Sequence, residues 1–150
     1  MLTANHAATG AVIALNITNP IVALPLAFVS HFALDALPHF GYKEGGINLA
    51  LKKPFTYFVL FLDALGCLIL LYILWGGPLM AFVGALVADS PDLYNFYRFF
   101  ILQKRIEKPM EQLNKFTQFH KKIQWGERPW GILVDIAYFS TAAYVIHALV

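Results

Sequence analysis

PFTYFVLFLDALGCLILLYILW (residues 54–75) holds one charged residue, Asp63, in an otherwise apolar run. A helix needs roughly 20 mainly apolar residues to cross about 30 Å of hydrocarbon, and this run is long enough. It opens on Pro54, which is well tolerated in a first helical turn. PWGILVDIAYFSTAAYVIHAL (residues 129–149) repeats the pattern, with Pro129 at its start and Asp135 as its acid. The intervening Gly76-Gly77-Pro78 is a turn signal, followed by a shorter apolar helix predicted from Pro78 to Ala88.

Upstream, a helical hairpin is predicted. Thr3 to Leu15 forms one arm, Asn16 to Asn19 the turn, and Pro20 to about Leu37 the second arm, with Pro25 a kink or a late start. No basic n-region or small-residue cleavage site opens the chain, so the first helix is expected to be retained. Between Tyr94 and Phe119 aromatic residues mix with Arg98, Lys104, Arg105, Lys108 and Lys115. That stretch reads as one or two amphipathic helices at the interface, broken near Pro109. The expected fold is therefore all-α: a polytopic membrane bundle of about five membrane segments plus interfacial helices, in a single domain over residues 1–150.

Composition agrees. Apolar residues are 59% of the chain and charged residues 13%, against about 25% charged in a soluble domain. The net charge of +2 is too small to imply nucleic acid. Cys67 lies alone in an apolar run, which excludes an intrachain disulfide and a cysteine metal site. Every Lys and Arg falls between Lys43 and Lys53 or between Arg98 and Arg128. Two spans separate these stretches, so both lie on one side, the cytoplasmic side by the positive-inside rule. The expected location is the cytoplasmic (inner) membrane, with the N-terminus cytoplasmic and the C-terminus outside.

On this topology the acids and histidines collect in the cytoplasmic half. His6 starts the first helix, and His31, Asp35 and His39 close the second. Asp63 lies about 14 Å along its helix and Asp135 about 9 Å along its own, at 1.5 Å per residue. Asp89 and Asp92 sit where the fourth segment exits. A carboxylate within a span costs on the order of 3 kcal/mol, and no Lys or Arg shares a span with these. Protonation, a hydrogen bond to histidine, or a metal ion remain as compensators. Mixed imidazole and carboxylate ligands suit zinc, manganese or iron.

His31-Phe-Ala-Leu-Asp35-Ala-Leu-Pro-His39 is the sharpest motif. Residues four apart stack on one helix face, so His31 and Asp35 can share an ion, and His39 joins them directly or by folding back. A hydrogen-bonded structural cluster is the other reading. Asp89-Ser-Pro-Asp92 is read as two ligands or as a capping turn that starts the next helix at Tyr94. His6 is a ligand or a solvated helix-start residue. Asp63 and Asp135 are ligands, orienting partners of the histidines, or protonated acids bonded to a neighbouring helix. His120 is a site residue or a surface histidine beside Lys121 and Lys122. Glu127 is a general base or a helix N-terminal acid, within a Gln124-to-Trp130 segment that anchors at the interface.

Taken together, His6-x-x-x-Gly10, His31-x-x-x-Asp35 with Pro38-His39, and Pro91-Asp92 resemble the YdjM-type family of small integral membrane proteins, described as metal-dependent hydrolases. The His-x-x-x-Asp-x-x-x-His element is also similar to the metal-binding helix of zinc-dependent phospholipase C and related single-strand nucleases. Where the family's acidic motif ends in a further Asp-His, this chain has Leu93-Tyr94-Asn95. Its His-Arg-rich motif ending in Thr-His-Ser has His120-Lys121-Lys122 as nearest counterpart, so a single metal is expected. The resemblance implies an all-helical fold, a buried metal site and phosphoester hydrolysis.

The expected activity is then metal-dependent hydrolysis of a phosphoester or lipid-like substrate at the cytoplasmic face of the bilayer. The ion, zinc first and manganese or iron next, is assigned to His6, His31, Asp35, His39, Asp63, Asp89 and Asp92. Asp35, His120 and Glu127 are the candidate catalytic groups, and Lys121, Lys122 and Arg128 the candidate anchors for a phosphate. The alternatives are a proton- or divalent-cation-handling transporter and a non-catalytic membrane scaffold.

Overall fold

A computed structural model describes residues 1–42, 50–103 and 108–150. Among them are six α-helices: α1 (Thr3–Asn16), α2 (Pro20–Asp35), α3 (Pro54–Leu74), α4 (Leu79–Tyr97), α5 (Lys115–Ile123) and α6 (Ile132–Leu149). The fold is all-α apart from two parallel two-residue strands, β1 (His39–Phe40) and β2 (Glu127–Arg128). Two of these segments are long and apolar enough to cross a membrane, Pro54–Leu74 and Pro129–Leu149, and α2 is a shorter apolar helix. The described helices thus supply two candidate spans of that length. On α3 the side chains of Phe58, Phe61, Leu68 and Tyr72 face outward, as lipid contact requires.

Small residues put α1 at the centre of the molecule, against α4, α2, α6 and α3. Its inner face presents Ala4, Ala8, Gly10, Ala11 and Ala14, so a neighbouring backbone can come close. The tightest point is the crossing with α4. A Cβ placed on Gly10 would lie 2.1 Å from the Gly84 carbonyl oxygen, and one on Gly84 would lie 2.4 Å from that of Gly10. An apolar core of Ala8, Ala11, Leu70, Leu74, Ala81, Ala85 and Ile146 surrounds this contact.

The predicted hairpin is present, with Asn19 capping α2 by accepting from the Ile21 N–H at 3.0 Å. α2 ends at Asp35, so His39 leaves the helical stripe and enters β1. The predicted Pro78–Ala88 helix is longer than expected: α4 continues through Asp89-Ser-Pro-Asp92 to Tyr97. Pro91 has no N–H for the Val87 carbonyl one turn back. The Ser90 hydroxyl donates to that carbonyl instead, at 2.7 Å. The capping-turn reading of Asp89-Ser-Pro-Asp92 is therefore corrected: both acids lie within one continuous helix.

Past Tyr97 the chain makes a π-helical turn (Arg98–Leu102) and, beyond Pro109, a 3₁₀ turn (Met110–Gln112) before α5. Lys104 and Arg105, part of the expected interfacial stretch, lie outside the described residues, as do Lys43 to Leu49 of the first basic loop. α5 is strongly two-sided. Lys115, Lys121 and Lys122 are exposed, while Thr117 and His120 are buried. Gly131 lets β1 lie on the start of the last span, since a Cβ there would come within 2.0 Å of the His39 carbonyl carbon.

Candidate metal centre

Interior side chains near one end of the bundle are polar. His6, His31, His39, His120, Asn5, Thr117, Asp35 and Asp135 are each no more than 2% exposed. Four helices deliver the central groups. α1 carries His6, α2 carries His31 and Asp35 one turn apart, α4 carries Asp92, and α5 carries His120.

Their atoms converge on Asp35. His120 Nε2 lies 2.6 Å from Asp35 Oδ2 and His31 Nε2 lies 3.4 Å from it. His6 Nε2 lies 3.2 Å from Asp35 Oδ1. The Met1 ammonium donates to the same Oδ1, and the Gln124 amide donates to Oδ2 at 3.2 Å. Asp92 faces the same imidazoles from α4, at 3.6 Å from His31 Nε2, 3.7 Å from His120 Nε2 and 3.9 Å from His6 Nε2.

The tautomer of His31 is fixed. Its Nδ1 lies 2.8 Å from the Ala88 carbonyl, which only accepts, so Nδ1 carries the proton. In the neutral ring Nε2 then turns a lone pair into the centre, the arrangement by which backbone carbonyls prepare metal-ligating histidines. His120 Nε2 approaches His31 Nε2 to 3.0 Å, so without an ion between them one of the two nitrogens must carry a proton. On its other side, His120 Nδ1 meets the Asn95 amide, whose Oδ1 accepts from the Thr117 hydroxyl at 3.2 Å. That hydroxyl can donate or accept, so the amide is able to serve either tautomer of His120.

His6 is the anomaly. It is fully buried and stacked on His31 at 3.8 Å between centroids; its Nδ1 has no partner, and its Nε2 faces only Asp35 Oδ1, at 3.2 Å and poorly aligned for a hydrogen bond. A buried donor or acceptor left so costs about 1–3 kcal/mol. Two ligand groups emerge in the described residues, each with its atoms within 4.8 Å of one another: His6, His31 and Asp35, and His31, Asp92 and His120. Buried His and Asp groups are thus placed to hold a metal ion.

The other expected site residues are placed elsewhere. Asp63 accepts from the backbone N–H groups of Thr3 (3.2 Å) and Ala4 (2.9 Å). Asp135 accepts from Leu2 N, Asn5 Nδ2 and Phe40 N. Asp89 is buried on α4, with its Oδ1 unpartnered, and belongs to neither ligand group. His39 donates from Nδ1 to the Leu37 carbonyl at 2.7 Å. Burial, and then the N-terminal amino group, hold its pKa below the ordinary value. Glu127 sits half-buried on β2 against Gly41, and burial pushes its carboxyl upward. Lys121 and Lys122 are exposed on the helix that bears His120, and Arg128 donates to the Glu127 and Trp125 carbonyls.

Sequence reasoning assigned no site role to Asn5, Asn95 or Gln124. The only local signal was spacing: Asn95 follows Asp92 by one helical turn, and Gln124 follows His120 likewise. Comparison of the chain with known protein families, curated proteins and solved structures gives no match.

Proposed function

We propose that this protein is a membrane-embedded, metal-dependent hydrolase whose ion sits among His6, His31, Asp35, Asp92 and His120. The observation that carries the reading is His6, a fully buried imidazole whose Nδ1 has no partner and whose Nε2 faces a carboxylate oxygen at 3.2 Å without a well-aligned hydrogen bond, stacked on a second imidazole. A divalent ion would take the lone pairs that now face one another. Zinc is the first choice for such ligands, with manganese or iron next. Such an ion lowers the pKa of a bound water towards 7 and so makes hydroxide at neutral pH.

The substrate is a phosphoester on a lipid or other amphipathic molecule, and the resemblance to the YdjM-type family points the same way. Two features of this chain support it. Lys115, Lys121 and Lys122 line the exposed side of α5, next to the helix face that carries His120. A shallow, mainly apolar cavity of about 340 Å³ is lined by Phe28, Ser90, Pro91, Tyr94 and Phe116, one turn or less from His31, Asp92 and His120 in sequence. In the full reading the remaining helices also enter the bilayer, giving about five membrane segments. The basic stretches then face the cytoplasm, and the protein lies in the inner membrane.

The test is elemental analysis of detergent-purified protein, with hydrolysis of bis(p-nitrophenyl) phosphate and of phosphatidylglycerol in mixed micelles. Bound metal in the wild type, with metal and turnover both lost in His31→Ala, is the expected result. A folded protein without metal after zinc, manganese and iron have each been added overturns the reading. Metal without turnover but with uptake into proteoliposomes favours a transporter.

A further inference from the structure

Helix α1 begins without a cap of its own. Its N-cap residue is Leu2, no side chain of the helix accepts from the first N–H groups, and the first turn has no acid. Orphan donors at a helix start are normally met by a local Ser, Thr, Asp or Asn. Here they are met from a distance. Asp63 of α3 takes the N–H groups of Thr3 and Ala4, and Asp135 of the last span takes that of Leu2 at 3.2 Å. Asp135 also accepts from the Asn5 side chain at 2.9 Å and from Phe40 N at 2.7 Å. Asn5 Nδ2 donates in addition to the Asp135 backbone carbonyl at 3.2 Å.

The next residue after Asn5 is His6. Each candidate span thus commits its one carboxylate to the first turn of the helix that carries a ligand. Neither acid belongs to a ligand group or forms an ion pair among the described residues. Asp135 reaches further, since Phe40 ties it to the β1–β2 pair beside Glu127 and Arg128. We propose that Asp63 and Asp135 are positioning residues, which set the place of His6 in the centre by capping α1 from two other helices.

The proposal rests on the metal reading for its consequence in affinity and on geometry alone for its consequence at His6. Outer-shell groups of this kind typically change metal affinity by roughly 10- to 100-fold. Zinc dissociation constants, by chelator competition in detergent, should therefore weaken by that factor in Asp135→Asn and in Asp63→Asn. Because the effect runs through His6, the same substitutions should add no further weakening in a His6→Ala background. A merely structural role would weaken binding in both backgrounds alike. Asn5→Ala, which removes one donor and keeps the carboxylate, is the milder variant should Asp135→Asn not fold.

Diethylpyrocarbonate labelling of His6, read by mass spectrometry on metal-free protein, gives an answer independent of zinc. His6 should be protected in the wild type and label faster in the Asp63, Asp135 and Asn5 variants. Unchanged zinc affinity in a folded variant, a loss that persists in full without His6, or unchanged His6 protection overturns the proposal. A wild type that binds no metal overturns the metal reading alone, and the labelling still decides this one.

Discussion

His31 and His120 are separated by 89 residues, yet their Nε2 atoms stand 3.0 Å apart with Asp35 Oδ2 against both. With His31 Nδ1 donating to the Ala88 carbonyl, at least one of the two facing Nε2 atoms must carry a proton. A divalent ion would satisfy both rings and the carboxylate at once.

His31 belongs to both ligand groups, whereas His6 and His120 belong to one each. His31→Ala should therefore lower bound zinc more than either His6→Ala or His120→Ala. Plasma emission spectrometry on protein of verified helicity measures it. Equal losses in all three would mean that the two groups act as one.

The Gly10–Gly84 crossing leaves no room for a methyl group. Gly10→Ala and Gly84→Ala should each destabilise the folded protein by about 3 kcal/mol, the upper part of the usual overpacking range. Thermal unfolding in detergent measures the change, and a variant as stable as the wild type would contradict the crossing.

Ser90 matters because Pro91 leaves the Val87 carbonyl without an N–H. Ser90→Ala should cost about 1 kcal/mol, the net worth of an ordinary hydrogen bond. In a Pro91→Ala background the restored N–H can take that carbonyl, so the same change should cost little. Additive losses in this double-mutant cycle would show that Ser90 does not serve Val87.

Burial raises the Glu127 pKa, so the folded state holds its proton more tightly than the unfolded state does. That contribution to stability is complete below the ordinary carboxylate pKa and is lost as pH rises through the folded value. At neutral pH the ionised group is a burden. Glu127→Gln should be more stable than the wild type at pH 7, with the advantage shrinking as pH falls through the folded pKa and largely gone by about pH 4. Denaturation curves at both pH values check the sign.

Much of the fold was legible because prolines and polar turns punctuate apolar runs. Asn19-Pro20, Pro54 and Pro129 mark real starts, and the two long runs became the two candidate spans. The far end of α4 was not legible: Pro91 reads as a breaker until Ser90 is seen to replace the missing donor. The site divides in the same way. His31 and Asp35 share a local pattern, but His120 joins them only through tertiary packing. For Asp63 and Asp135 the sequence offers protonation, histidine or metal as compensators. The structure uses the uncapped N–H groups of α1, and the clue in the sequence was Leu2 where a capping residue would normally stand.

The glycine crossing also fixes what can move. α1 and α4 meet backbone to backbone at Gly10 and Gly84, a contact that sliding would disrupt, and His6 and Asp92 ride on that pair. α5 is short and bears on α2 and, through Asn95 and Tyr94, on the end of α4. The centre therefore has an anvil and a hammer: opening it from the α1–α4 side means breaking the core, while opening it from the α5 side means lifting about two and a half turns of helix with His120 attached.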